Sequence, residues 1–170
     1  MITSYITAIL VREVATMRDE LLAYENEADI WKTPPGIGNP AGTLALHVAG
    51  NLRHFIGATL GSTGYVRDRD AEFSARDVPR ATIIERLDAA EHEVTLSLSN
   101  LDPARLDGPF DLGLGDEMMP TVADFLMHLV AHAAFHVGQA GYHRRLVTGD
   151  NRSTSGVAMT KLHSIGTEGE

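Results

Sequence analysis

Histidine is the residue type in this chain whose placement could do chemistry. His128, His132, His136 and His143 fall on one predicted helix, and His47 and His54 on another. An α-helix turns about 100° per residue, so the four on the later helix lie within an arc roughly 80° wide. His132 and His136 form an H-x-x-x-H pair, one turn apart on one face, the spacing at which two imidazoles grip one metal ion. A histidine of the earlier helix could supply a third ligand. Three protein ligands leave a coordination position open, the usual arrangement of a catalytic rather than a structural site.

A lone histidine in a helix is usually structural, but several on one arc of an apolar helix are harder to explain that way. Each would need its own buried partner, since an unpaired buried polar group costs about 1–3 kcal/mol. A metal ion satisfies several at once. The residue after His132 is Ala133, so the general-base glutamate of the H-E-x-x-H zinc proteases is missing. No Asp or Glu lies between His128 and Tyr142, and Asp124 is better read as a helix-capping residue.

Composition narrows the class further. A length of 170 residues with 44% hydrophobic content suits one soluble domain with a real core. The formal net charge of -9 argues against nucleic acid, which needs clustered Lys and Arg. Arg67/Arg69 and Arg144/Arg145 are the dense basic spots, large enough only to clamp a small anion. The chain has no cysteine, which excludes disulfides, thiolate metal sites and a cysteine nucleophile. No window approaches the ~18 consecutive apolar residues of a membrane span. The first residues lack a basic stretch followed by an apolar run, so no signal peptide and a cytoplasmic location are expected.

Four helical segments would have to position the histidines. The first is expected from about Ser4 to Glu27, on the spacing of Ile6, Ile9, Leu10, Val14, Met17 and Leu21, and stops before Pro34-Pro35-Gly36. The second runs from Pro40 or Thr43 to about Gly61. Its Gly50 and Gly57 each weaken a helix by about 1 kcal/mol, so they mark close approach of a neighbour. The stretch from Ser62 to Val78 reads as irregular and too long for a simple turn. A third helix is expected from near Pro79 to about Leu101, with capping-box spacing at Thr82 and Glu85. The Gly-, Pro- and Asp-rich segment Asp102 to Pro120 reads as a long loop. The fourth helix has the clearest start, with Thr121 as N-cap and Asp124 completing the box, and Gly149 follows its end near Val147. The domain therefore occupies residues 1–150, and 151–170 form a tail, mobile or packed as an extended segment. Without an intervening sheet, the chain is all-α, a four-helix bundle.

These residues also resemble a known family. Leu46-His47-Val48-Ala49-Gly50-Asn51-Leu52, His132-Ala133-Ala134-Phe135-His136-Val137-Gly138-Gln139 and Tyr142-His143-Arg144-Arg145-Leu146 are similar to the DinB-like proteins, metal-binding four-helix bundles that include thiol-dependent transferases and isomerases. The likeness runs from the first helix to about Gly149. It implies a divalent metal, typically zinc or nickel, held by His47, His132 and His136, and it is the resemblance that prefers His47 to His54. It implies a low-molecular-weight thiol as co-substrate, in detoxification or stress response, and a homodimer. Asn51, His54, His128 and Gln139 are candidates to hydrogen-bond a ligand imidazole or a substrate. Arg144 is a candidate for a substrate carboxylate. His143 lies roughly 10 Å along the helix from His136, too far to share the ion. His92 and His163 are expected to face solvent, and Gly138 to permit close helix contact. A hydrolase acting through metal-bound water, and a non-catalytic metal- or ligand-binding module, are the alternatives.

Overall fold

The computed structural model describes residues 2–110, 120–154 and 156–162. Helix α1, Ile2–Leu22, buries Ile6, Leu10, Val14, Met17 and Leu21, one face at helical spacing. It ends a turn earlier than expected because Tyr24 turns inward to meet His143, and the chain enters a short 3-10 turn, Glu27–Trp31, capped by the Asn26 side chain. Helix α2, Ala41–Leu52, is buried on every side, as a central helix must be. It continues without a break as a π-helical segment, Arg53–Leu60.

The stretch expected to be irregular contains a short helix, α3, Arg69–Ser74, capped by Asp68, whose Oδ1 accepts from Ala71 N–H at 2.9 Å. Helix α4, Arg80–Ser99, starts directly after Pro79, so Thr82 and Glu85 lie inside it rather than at its cap. Helix α5, Val122–Thr148, has the capping box at Thr121 and Asp124. Gly149, at φ 72°, takes the left-handed conformation that ends it.

The chain is all-helical among the described residues, apart from an isolated bridge between Pro109 and Thr121. Helices α1 and α2 each pack against both α4 and α5, so the four long helices close a ring of contacts around the core. Leu10, Leu46, Leu52, Ile83, Leu87 and Leu126 meet there. Helix α3 rides on α2. Beyond α5 the chain lies along α1: Thr154 Oγ1 donates to Glu20 at 2.6 Å, Thr16 Oγ1 to the Gly156 carbonyl at 3.1 Å, and Lys161 Nζ to Asp19 at 2.9 Å. His163 and the rest of the tail lie outside the described residues.

Candidate metal centre

Helices α2 and α5 are neighbours in the ring and pack against each other, and this brings His47 opposite the His132–His136 pair. The imidazoles converge through the same atom. His132 Nε2 lies 3.2 Å from His47 Nε2 and 3.1 Å from His136 Nε2. One nitrogen from each of the three lies within 4.8 Å of the others. Ligand atoms on a tetrahedral zinc at 2.0–2.1 Å are separated by roughly 3.3 Å, so the two shorter spacings are those of a ligand shell. His47 is buried, and His132 and His136 are half-buried.

The outward-facing ring nitrogens fix what the inward ones can do. His47 Nδ1 lies 3.0 Å from Glu72 Oε2. Arg67 holds that carboxylate in a fork, Nε to Oε1 at 2.7 Å and a terminal nitrogen to Oε2 at 2.8 Å. Burial alone would raise the Glu72 pKa, but hydrogen bonds from Arg67 and His47 outweigh it and hold the carboxyl below its usual range. An ionised carboxylate at that distance requires a proton on His47 Nδ1. Arg67 also approaches Nδ1, at 3.3 Å, but cannot compete as a donor once Nδ1 is protonated. His136 Nδ1 lies 2.8 Å from Gln139 Oε1 and donates to it. In its neutral form each of these two rings therefore presents a bare Nε2 lone pair to His132.

His132 Nε2 carries at most one proton, so it can donate to one of these neighbours and not both. The other contact then sets lone pair against lone pair. A divalent ion removes the conflict, because all three nitrogens can donate to it. Electrostatics agree. Burial, then the His136, His47 and His128 rings and Arg67, push the His132 pKa down to about 4. Burial also lowers that of His136, against the Gln139 hydrogen bond. Both stay neutral at pH 7, as ligand imidazoles must be. The donor set fits a divalent metal.

The other candidates divide. Gln139 bonds His136. Asn51 is buried one turn beyond His47, and its Oδ1 has no hydrogen-bond partner among the described residues. His54 Nδ1 is likewise buried without a partner, and burial followed by the charge of Arg67 lowers its pKa. His128 is exposed, and its ring stacks between Phe125 and His132 at centroid distances of 5.6 and 5.8 Å. Arg144 stands apart from this group. Its guanidinium is buried, with Nε on Glu20 at 2.6 Å and a terminal nitrogen on the Arg152 carbonyl at 2.6 Å. His143 is buried between the Tyr24 hydroxyl at 2.6 Å and the Lys32 carbonyl at 2.7 Å. His92 is exposed. Gly138 is exposed too, and a side chain there would meet nothing within 4 Å, so it serves no close contact among the described residues.

Sequence reasoning missed Glu72 as a partner of the site. It lies 25 residues from His47 in the chain. The available signal was Gly50: a Cβ there would overlap the Glu72 carboxylate, so a glycine inside a buried helix marked where that side chain seats.

A family model described as "Protein of unknown function (DUF1572)" matches residues 2–161, and the chain belongs to that family. No curated protein and no solved structure matches it.

Proposed function

We propose that this member of the DUF1572 family is a metal-dependent transferase of DinB-like type, with a four-helix bundle holding a divalent ion on His47, His132 and His136 and using a low-molecular-weight thiol. The observation that carries the metal reading is the convergence of three Nε2 atoms, with the outer nitrogens of His47 and His136 engaged by Glu72 and Gln139. The ring of contacts among α1, α4, α2 and α5 supports the bundle. The choice of thiol chemistry rests on the family resemblance of the histidine motifs. Zinc and nickel both suit an all-imidazole donor set.

A divalent ion in this position acts as a Lewis acid that favours the thiolate form of a bound thiol. The chain's own residues do the rest. His47, His132 and His136 would be the ligands. Glu72 and Gln139 fix two of the rings from behind. Asn51 Oδ1 and His54 Nδ1, one and two turns beyond His47, are buried polar atoms with no hydrogen-bond partner among the described residues. Neither Arg67 nor Arg144 supports the expected carboxylate clamp, since both guanidiniums are committed to internal carboxylates.

The decisive measurement is elemental analysis of the purified protein beside His132→Ala. About one divalent ion per chain, lost in the variant, is expected. The loaded protein is then mixed with a small thiol and an aryl chloride. In that reaction a C–S bond forms, the C–Cl bond breaks, chloride leaves and the thiol proton passes to solvent. Metal-dependent acceleration supports the transferase. Turnover of esters without thiol would favour a hydrolase, and metal without turnover a binding module. No metal would remove the reading altogether.

A further inference from the structure

The geometry points to Glu72 as a positioning residue that sets the affinity of the metal centre through His47, with Gly50 as its seat. The inference rests on the metal reading above. Glu72 reaches the site from α3, and both of its oxygens are engaged on one side by Arg67 and His47. It is buried, so its charge is little screened. By accepting from Nδ1 it selects the tautomer that leaves Nε2 bare, fixes the ring plane and makes Nε2 a better donor. Its seat is the backbone of α2 at Gly50, three residues and about one turn from His47. Any side chain there would overlap the carboxylate.

The molecule carries its own control. Two turns along the same helical run, Gly57 seats Glu93 in the same way, and Arg53 holds Glu93 at 2.7 Å as Arg67 holds Glu72. Among the described residues Glu93 is bonded by Arg53 and Thr63, and by no histidine. The two seats share a glycine, a carboxylate and an arginine, and only the first adjoins a proposed ligand.

The test is zinc affinity of the full chain, measured by competition with a chromophoric chelator. Glu72→Gln and Gly50→Ala should each weaken binding by about 10- to 100-fold. Glu93→Gln and Gly57→Ala should stay within about threefold of wild type. Gly50→Ala keeps the carboxylate but displaces it, and it carries the test if Glu72→Gln does not fold. Wild-type affinity in both site variants, or an equal loss in the Gly57 and Glu93 variants, overturns the proposal. A wild-type chain that takes no zinc overturns the metal reading instead, and a second measurement then decides this one. Nitrogen-15 NMR of the metal-free protein should find the His47 proton on Nδ1, and a mixture of tautomers in Glu72→Gln. A proton on Nε2 in wild type overturns the positioning role.

Discussion

His132 lies at the centre of the three-ring cluster, and its charge state governs more than metal binding. Its pKa is pushed down to about 4, and burial also lowers His136, His54 and His143. Each of these groups binds a proton more readily unfolded than folded. Between the unfolded value near 6.5 and the depressed folded value, the unfolded state therefore holds more protons, and folding stability falls as pH falls. Metal-free protein should melt at a lower temperature near pH 5 than near pH 7.5. Acidification also relieves the repulsion of a chain with net charge -9, which acts in the opposite direction. His132→Gln isolates the imidazole contribution and should narrow the difference between the two melts. An unchanged difference would contradict it. The Glu72 carboxyl, with its pKa lowered, acts in a separate window: its contribution is present above about 4.5 and lost below. Arg144 tests a different kind of residue. With Glu20 it forms a buried pair at 2.6 Å, side chains 1% and 4% exposed. Arg144→Met strands a buried carboxylate and should cost about 3–5 kcal/mol in urea unfolding. Zinc affinity of the folded variant should be unchanged, which separates this structural role from a role in the metal centre.

At the scale of elements, what could be read from the sequence depended on how local its cause was. Helix α5 was legible because its signals are contiguous: Thr121 and Asp124 at one end, Gly149 at the other, and the histidines on one arc between. The same locality gives a clean prediction. Thr121→Ala should cost about 1 kcal/mol in urea unfolding while leaving metal affinity alone, since the cap is two turns before His128. A loss of zinc with that change would mean the start of α5 is coupled to the site. Helix α3 was not legible. Six residues, Arg69–Ser74, are too few for a hydrophobic period to show, and the helix is held by α2 rather than by its own pattern. The π-helical continuation of α2 shares the composition of an ordinary helix and leaves no mark in the sequence. The His132–His136 pair could be read from spacing, whereas Glu72 could not, because its link to His47 is made by the packing of α3 on α2. Gly50 and Gly57 were read as points of close approach, and carboxylates on facing segments meet them there. Gly138 was read the same way and faces open space, because a glycine alone does not say which side of its helix is covered.

At the scale of the molecule, a surface of the described residues departs from the acidic character of the chain. The exposed positions of α5 from Met127 to Leu146 carry no formal charge. Met127, Phe135, Tyr142 and Leu146 are 54%, 62%, 75% and 58% exposed, interspersed with Ala131, Ala134 and Gly138. The face is roughly 28 Å long. A large, contiguous apolar surface is characteristic of an interaction site. With net charge -9, two copies repel over most of their surfaces, and a neutral face is where they can meet. A two-fold pairing would set that face against itself, its small residues opposite the partner's large ones. Sedimentation in the micromolar range should accordingly give the mass of two chains. Tyr142→Asp should weaken pairing by about 30-fold or more, as loss of an aromatic anchor does. Phe135 is the less informative choice, because its ring lies 5.3 Å from that of His136 and its replacement would disturb the metal centre as well. Tyr142 has no ring contact with the three histidines, so its variant should dissociate while keeping its zinc. A wild-type chain that sediments as a monomer throughout that range would exclude self-pairing at those concentrations.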